Sequence, residues 1–170
     1  MAERVVEQRT KQSMLSDLMR KQNDIRNMLD TRANIIIGFN SALVLFLISG
    51  SAKEMLGGFT FSIILITLIL SLFSAILALK PPKFLRKKGQ AESIFYHDYM
   101  TGKPEEEYEK EVFEVMDEEK MIFRSYITEA YNMSKFSNKP KKFYAHLSIR
   151  ILIYGILITI IFYSISMALR

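Results

Sequence analysis

A run of carboxylates in the second half of the chain is the feature closest to catalytic machinery. Six glutamates lie between positions 105 and 114, and paired carboxylates act as general acid and base in many hydrolases. Glu106 and Lys110 stand four residues apart in the order that favours a helical ion pair, so we interpret the run as a solvated helix face. The sequence has no Ser-His-Asp arrangement, metal-ligand cluster, Walker motif or cysteine. We therefore predict no enzymatic activity, no catalytic residue and no metal site.

A second polar motif, Asp30, Arg32 and Asn34, comes directly before a long apolar segment. A charge at the edge of hydrocarbon is costly and is usually paired, so a partner such as Arg124 or Lys139 is one prediction for Asp30. The alternative is that Arg32 extends to lipid phosphates while Asp30 stays in water. The sequence leaves both interpretations open.

Both motifs must be positioned by helices, because three apolar runs cover residues 33–52, 61–79 and 147–169. Each run is close to the roughly 20 residues that a helix needs to cross a bilayer. Lipid offers no partner to an exposed backbone, so segments of this kind must be helical. We predict an all-α integral membrane protein with three transmembrane helices. The first two form a hairpin over residues 33–79, and the third covers residues 147–169.

The distribution of basic residues predicts the orientation of these spans. Seven Lys and Arg residues lie in 1–32 and thirteen in 80–142, and Arg150 lies at the cytoplasmic end of the third span, whereas only Lys53 and Arg170 lie on the other side. Because Lys and Arg stay in the cytoplasm, we expect a multi-pass inner-membrane protein with a cytoplasmic N-terminus and a periplasmic or extracellular C-terminus. The net charge of +5 then reflects contact with the lipid bilayer, and we expect no nucleic-acid partner.

Two charged segments remain outside the spans. Residues 2–32 carry heptad-like apolar positions with no Pro or Gly before Gly38, which predicts a helix that continues into the first span. Residues 104–138 carry a second apolar stripe, which predicts one long helix beginning at Pro104. A single helix cannot bury its own apolar stripe. We therefore expect a cytoplasmic helical region over residues 80–146, in which the insert 83–146 forms a cytoplasmic bundle with the N-terminal helix, 1–32.

Each span also has a stripe of small or polar residues at helical spacing. The members are Asn34, Gly38 and Ser41 in the first span; Thr67, Ser71, Ser74 and Ala78 in the second; and Ser148, Gly155, Thr159 and Ser166 in the third. Such stripes allow helices to approach closely within one subunit. They could instead face a neighbouring subunit or a hydrated path. Three helices are too few to enclose a channel, so a pore would require a homo-oligomer.

Taken together, several segments resemble the transmembrane Pycsar effector family. They are the pentad 30–34 before an apolar run with Gly38 and Asn40, the Pro81-Pro82 pair after the second span, the aromatic stretch 94–99, and the tyrosine-rich helix before the last span. The resemblance extends from about Leu15 to Ile161. It implies a bacterial antiphage effector that perturbs the inner membrane once a partner cyclase makes a cyclic nucleotide.

A cyclic nucleotide, if it is the activating ligand, needs a basic group for its phosphate and an aromatic surface for its base. The candidates on the predicted cytoplasmic side are Tyr96, Arg124, Tyr126, Tyr131 and Lys139. Each of them is also explained by packing in a bundle or by proximity to lipid headgroups. We expect no other cofactor.

Two other classes of function fit the same sequence. A small structural or sensory membrane subunit could scaffold a partner protein through its cytoplasmic helices. A constitutive small channel or transporter would instead show substrate-dependent flux in liposomes. We favour the nucleotide-signalled effector, which leads to abortive infection.

Overall fold

The chain is all-helical in a computed structural model that describes residues 2–49, 56–80, 94–95 and 97–168. No strand occurs among these residues, which confirms that the fold is all-α. The helices are α1 (Ala2–Ile48), α2 (Gly58–Leu79), α3 (His97–Thr101), α4 (Glu105–Asp117), α5 (Glu119–Asn132), a π-helical turn (Met133–Asn138) and α6 (Lys139–Ala168).

The first helix is continuous, as its sequence predicted. α1 covers 47 residues and passes from the charged N-terminal segment into the first apolar run without a break. Asp30, Arg32 and Asn34 therefore lie on one uninterrupted rod, on which 3.6 residues per turn determine the direction of each side chain.

The prediction of a single helix over 104–138 is wrong, because the backbone leaves helical geometry at Glu118, with φ −115° and ψ 112°. Asp117, Glu118 and Glu119 bring three consecutive carboxylates to this point. Negative charge disfavours the C-terminal end of a helix and favours the first turn of the next one. The acidic triplet thus ends α4 and begins α5.

A proline explains the π-helical turn Met133–Asn138. Pro140 lies just beyond it, inside a helix that continues to Ala168. Proline has no N–H to donate to the carbonyl four residues earlier, and its ring clashes with that carbonyl. A local widening of the helix relieves this conflict, and π-helical turns of this kind frequently occur at functional sites.

The chain divides into two compact units. The charged unit comprises Met1–Arg26 and Lys83–Asn138, and the apolar unit comprises Asn27–Pro82 and Lys139–Arg170. α1 contributes residues to both units. In the apolar unit, α2 packs along α6, with Phe59 and Phe162 in an edge-to-face contact at 5.4 Å between ring centroids.

Burial in the apolar unit is the reverse of burial in a water-soluble protein. Its interior is rich in small and polar side chains, whereas Ile35, Phe39, Leu45, Phe73 and Ile161 are each more than half exposed. Large apolar side chains on the outside are stable only in contact with lipid or another apolar surface.

Three helices of the described chain are long and apolar enough to cross a membrane: those within Arg9–Ile48, Gly58–Leu79 and Glu119–Ala168. The 22 residues of α2 span about 33 Å at 1.5 Å per residue, which matches a bilayer core of about 30 Å. The three predicted spans are thus present as helices of suitable length and composition.

One glycine allows α2 and α6 to approach closely. A Cβ added at Gly155 would lie 2.7 Å from Thr67 Cβ and nearer still to Thr67 Cγ2 and Oγ1. By contrast, a Cβ added at Gly38 would have no atom within 4 Å. The stripes of the second and third spans are therefore used for packing inside the subunit.

This difference gives a matched pair of substitutions. We expect Gly155→Ala to destabilise the protein by about 1–3 kcal/mol, since an extra methyl in a tight contact forces the helices apart. Gly38→Ala should be neutral or slightly stabilising, because alanine favours a helix over glycine. Thermal unfolding in detergent, followed by circular dichroism, measures both variants.

Adding Thr67→Ala to Gly155→Ala removes the two nearest clashing atoms, so the double variant should regain part of the lost stability. Equal melting temperatures for the two single glycine variants would contradict the close approach of α2 and α6.

Candidate functional site

The predicted ligand-binding residues of the charged unit do not form one cluster. Tyr126 packs on Phe95, with 4.7 Å between ring centroids and 35° between ring planes. The hydroxyl of Tyr108 donates a hydrogen bond to the carbonyl of Ile94 at 3.1 Å. The ring of Tyr126 therefore takes part in packing residues 94–95 against α4 and α5. Tyr96 lies outside the described residues.

A cation lies beside two aromatic rings where α5 passes into the π-helical turn. Tyr131 is 52% exposed, and the Lys135 ammonium lies 4.8 Å from its ring centroid and 5.6 Å from that of Phe136. Lys135 also donates a hydrogen bond to the Tyr131 hydroxyl. The sequence had indicated Tyr131 but not Lys135, which the spacing of four residues on a helix could have revealed.

Arg124 shares a face with Tyr131, because seven residues make almost two full turns of α5. The Arg124 side chain is exposed and makes no hydrogen bond or ion pair with the described residues. Lys139 is also exposed, but it is the first residue of α6 and belongs to the apolar unit. Arg124, Tyr131 and Lys135 thus form an exposed strip, which we call the α5 strip.

A polar cluster connects α3 to α4. The Lys103 ammonium forms an ion pair with Glu111, and it lies 3.5 Å from a carboxylate oxygen of Glu107. Tyr99 donates a hydrogen bond to Glu111 at 2.9 Å and accepts one from Lys103 at 2.9 Å. The hydrogen bonds from Lys103 and then Tyr99 lower the pKa of Glu111, and the hydrogen bond to Glu111 raises the pKa of Lys103. These ionic and hydrogen-bond contacts hold the short helix α3 against α4.

Part of the acidic run on α4, namely Glu106, Glu109 and Glu114, lies on an exposed helix face around Phe113. The predicted pair Glu106 and Lys110 is not formed among the described residues; the ion pairs of this region are made by Lys103 instead. No group of three or more His, Cys, Asp or Glu residues that could hold a metal occurs in the described chain.

Of the junction motif Asp30, Arg32 and Asn34, only Asp30 has an ion-pair partner among the described residues. Asp30 forms an ion pair with Lys141, whose side chain is only 5% exposed. The structure thus favours the paired interpretation of Asp30, but the partners suggested from the sequence, Arg124 and Lys139, are wrong. Lys141 lies one helical turn before Ala145, which packs with Ala33 and Ala78. This packing aligns α1 with α6 so that Lys141 lies beside Asp30. Arg32 and Asn34 are exposed.

A second polar contact joins α1 to the π-helical turn in the charged unit. The buried Asn138 amide donates to the Gln22 carbonyl oxygen at 3.1 Å and to Gln22 Oε1 at 2.9 Å. Its own Oδ1 has no hydrogen-bond partner among the described residues. In the sequence, Gln22 is a polar residue that interrupts the heptad-like apolar positions of residues 2–32.

The centre of the apolar unit contains a polar node of three fully buried residues: Asn40, Ser71 and Ser148. Asn40 Nδ2 donates to Ser71 Oγ at 2.8 Å, and the two serine hydroxyls lie 2.9 Å apart. Ser148 Oγ also donates to the Ser71 carbonyl at 2.7 Å. One residue from each of α1, α2 and α6 thus meets here, and Asn40 Oδ1 lacks a partner in the described chain.

Comparison with known proteins agrees with these features. The family model described as Pycsar effector protein domain matches residues 14–168, which include the junction motif, the charged unit from Met14 onward and the three apolar helices. No curated protein and no solved structure gave a significant match. Because the family model covers most of the chain, this protein belongs to the Pycsar effector family.

Proposed function

We propose that this chain is a membrane effector that disrupts the inner membrane of a bacterium when a cyclic nucleotide binds to its charged unit. Membership of the Pycsar effector family implies an antiphage effector signalled by a cyclic nucleotide and linked to a partner nucleotide cyclase. The family is non-enzymatic. The membrane as target, the inner membrane as location and the nucleotide as direct activator are parts of our proposal.

The observation that carries the proposal is the reversed burial of the apolar unit. Its polar side chains meet at the Asn40 node while Ile, Leu and Phe side chains point outward. A unit of this kind is stable in lipid and would aggregate in water. With the basic residues kept on the cytoplasmic side, the charged unit faces the compartment where a cyclase releases its product.

The α5 strip is our proposed docking face for the nucleotide. Its aromatic ring offers a stacking surface for a base, and Arg124 and Lys135 offer positive charge for the phosphate. Tyr126 and Lys139 remain candidates from the sequence, with Tyr126 supporting the strip through its contact with Phe95.

Transmission to the apolar unit would pass through the two helical connections that run between the units. α1 is continuous across Arg26 and Asn27, and α5 continues through the π-helical turn into α6. A nucleotide that binds one conformation better than another shifts the population toward it. The π-helical turn, which the Asn138 amide holds against Gln22, is a suitable two-state element.

A scaffold role remains the second candidate. Phe113 and Met116 on α4 are 57% and 61% exposed, and exposed apolar side chains of this kind often mark contact surfaces. The same face suits self-association, which an effector that forms a pore requires. Co-purification distinguishes the two: a stoichiometric foreign protein supports the scaffold, and a homo-oligomer supports the effector.

The first prediction concerns membrane damage in cells. Expression together with an active cyclase should depolarise the cells, whereas expression with a catalytically inactive cyclase should leave the membrane potential unchanged. A potential-sensitive dye measures both. Depolarisation of equal size with the inactive cyclase would remove the nucleotide from the proposal.

The second prediction concerns the α5 strip. Tyr131→Ala should weaken binding of the activating nucleotide about tenfold, since stacking of one base on one ring is worth about 1–3 kcal/mol. Lys135→Gln should act in the same direction through the phosphate. Calorimetric titration of detergent-solubilised protein with cyclic mono- and dinucleotides measures this.

Lys110→Gln is the matched control for Lys135→Gln, because Lys110 is an exposed lysine on α4 outside the strip. Unchanged affinity in Tyr131→Ala and Lys135→Gln, beside clear binding by the unmodified chain, would move the nucleotide site elsewhere.

The third prediction concerns transmission. Asn138→Ala removes two hydrogen bonds to Gln22, which together stabilise the resting contact by about 1–3 kcal/mol. We expect membrane leak at about tenfold lower nucleotide concentration, with unchanged nucleotide binding in calorimetry. Asn23→Ala, an exposed amide next to Gln22 on α1, is the control. A leak curve identical to that of the control would exclude the contact as a resting lock.

A further inference from the structure

The exposed face of α6 carries a basic ladder, which we define as Lys142, His146 and Arg150. The three residues are four positions apart, so they follow one another along one side of the helix. All three are exposed. The packed side of α6 is formed instead by Lys141, Ala145, Ser148, Gly155 and Thr159. At 100° per residue, Arg150 points about 200° away from Ser148 and hence directly away from the other helices.

The packing contacts place Arg150 at an unusual depth. Ser148 is hydrogen-bonded to Ser71, and Ser71 lies eight residues before Leu79, the last residue of α2. Eight residues correspond to about 12 Å of helix. Arg150 lies a further two residues along α6, so its Cα is level with the middle of α2. The sequence had predicted Arg150 at the cytoplasmic end of the third span.

Large apolar side chains are exposed on the other two helices beside the ladder, and the exposed polar residues Arg32 and Asn34 of α1 lie only near its cytoplasmic end. On α1, Ile35 and Phe39 are 66% and 51% exposed, and on α2, Phe73 and Ile76 are 61% and 48% exposed. Deeper than Arg32 and Asn34, the inner half of the apolar unit thus exposes apolar side chains on α1 and α2 and basic side chains on α6.

No acidic side chain of the described apolar unit is free to neutralise the ladder. The sequence places one carboxylate, Asp30, in the described part of this unit, and it is paired with Lys141. Arg150 and Lys142 make no ion pair with described residues. A charge of this kind in an apolar surround needs an anionic partner from outside the chain.

We propose that the basic ladder binds the phosphate of an acidic phospholipid and holds that headgroup below the normal plane of the cytoplasmic leaflet. Helical side chains point toward the N-terminus of their helix, so the Arg150 guanidinium extends back toward the cytoplasmic surface. It binds a phosphate through two parallel N–H donors. Lys142 adds charge nearer the surface, and the His146 ring donates a hydrogen bond between them.

The ladder thins one leaflet beside α6 and leaves it intact beside α1 and α2. This inference rests on the membrane location in the proposed function and deepens it, because a leaflet that is already deformed locally is the place where a rearrangement of α6 disrupts the bilayer.

The test uses the absence of tryptophan from the chain. Tyr154→Trp places a single fluorophore four residues after Arg150, at a position that is 63% exposed. The full-length variant is reconstituted in phosphatidylcholine vesicles that contain phosphatidylglycerol, with bromine on the acyl chains of one lipid or the other. We expect brominated phosphatidylglycerol to quench the tryptophan more strongly, with about fivefold higher apparent affinity per basic charge engaged.

Arg150→Gln in this background should lower the preference for phosphatidylglycerol about fivefold, and Arg150→Lys should retain most of it. Arg26→Gln is the matched control, since Arg26 is an exposed arginine of α1 that belongs to the charged unit. Native mass spectrometry of phosphatidylglycerol retained by the chain without the tryptophan gives a second readout.

Equal quenching by the two brominated lipids, or an unchanged preference in Arg150→Gln, overturns the proposal. Loss of the preference on addition of inorganic phosphate also overturns it, because the ladder would then bind soluble phosphates. The measurement is made on resting protein without nucleotide. Lipid preference without nucleotide-dependent leak refutes only the proposed function, whereas leak without lipid preference refutes only this inference.

Discussion

The polar node of Asn40, Ser71 and Ser148 is the interaction on which the apolar unit depends. In water, helices associate because they bury apolar surface, but lipid chains are as apolar as leucine and remove that driving force. What remains is close packing and hydrogen bonding. The node supplies hydrogen bonds from all three helices at one level, and the Gly155 contact lets α2 and α6 approach closely enough to make them. The outward position of Ile, Leu and Phe side chains follows from this arrangement.

The ion pair at the start of α6, inside the apolar unit, has a different physical character. Lys141 is buried and charged, so its pairing with Asp30 determines how α6 starts in relation to α1. A buried pair adds little net stability, but removal of one partner leaves an uncompensated charge and costs about 3–5 kcal/mol. Pro140 stands beside it and prevents a regular α-helix through the preceding turn. Helical geometry therefore changes at the point where the chain passes from the charged to the apolar unit.

Much of this architecture can be predicted from the sequence, because it depends on local period and composition. The apolar runs, the unbroken α1 and the stripes at Thr67 and Gly155 all follow from helical spacing. The partners of the polar side chains cannot be predicted in this way. Asp30 and Lys141 are 111 residues apart, and Gln22 and Asn138 are 116 residues apart. Several lysines near position 140 satisfy the same charge rule, so only the packing of Ala33 against Ala145 selects Lys141. The break at Glu118 was missed because apolar periodicity continues across it, although the acidic triplet contains the reason.

The energies of the node and of the basic ladder bear on how such a unit could damage a bilayer. Hydrogen bonds between transmembrane helices contribute about 0.6 kcal/mol each, so the interhelical bonds made by Asn40, Ser71, Ser74 and Ser148 contribute about 2–3 kcal/mol in all. An arginine at the centre of a bilayer costs about 2.5–3.5 kcal/mol. The strain that Arg150 places on the surrounding lipid is therefore as large as the hydrogen bonding that holds the helices together. A pore through the node would require these bonds to break. Several chains would then have to assemble around the serine hydroxyls that this change exposes. Deformation of lipid beside α6 needs only that the helix move relative to a headgroup it already binds. The second route requires less rearrangement, and it begins at the helix that the π-helical turn joins to the charged unit.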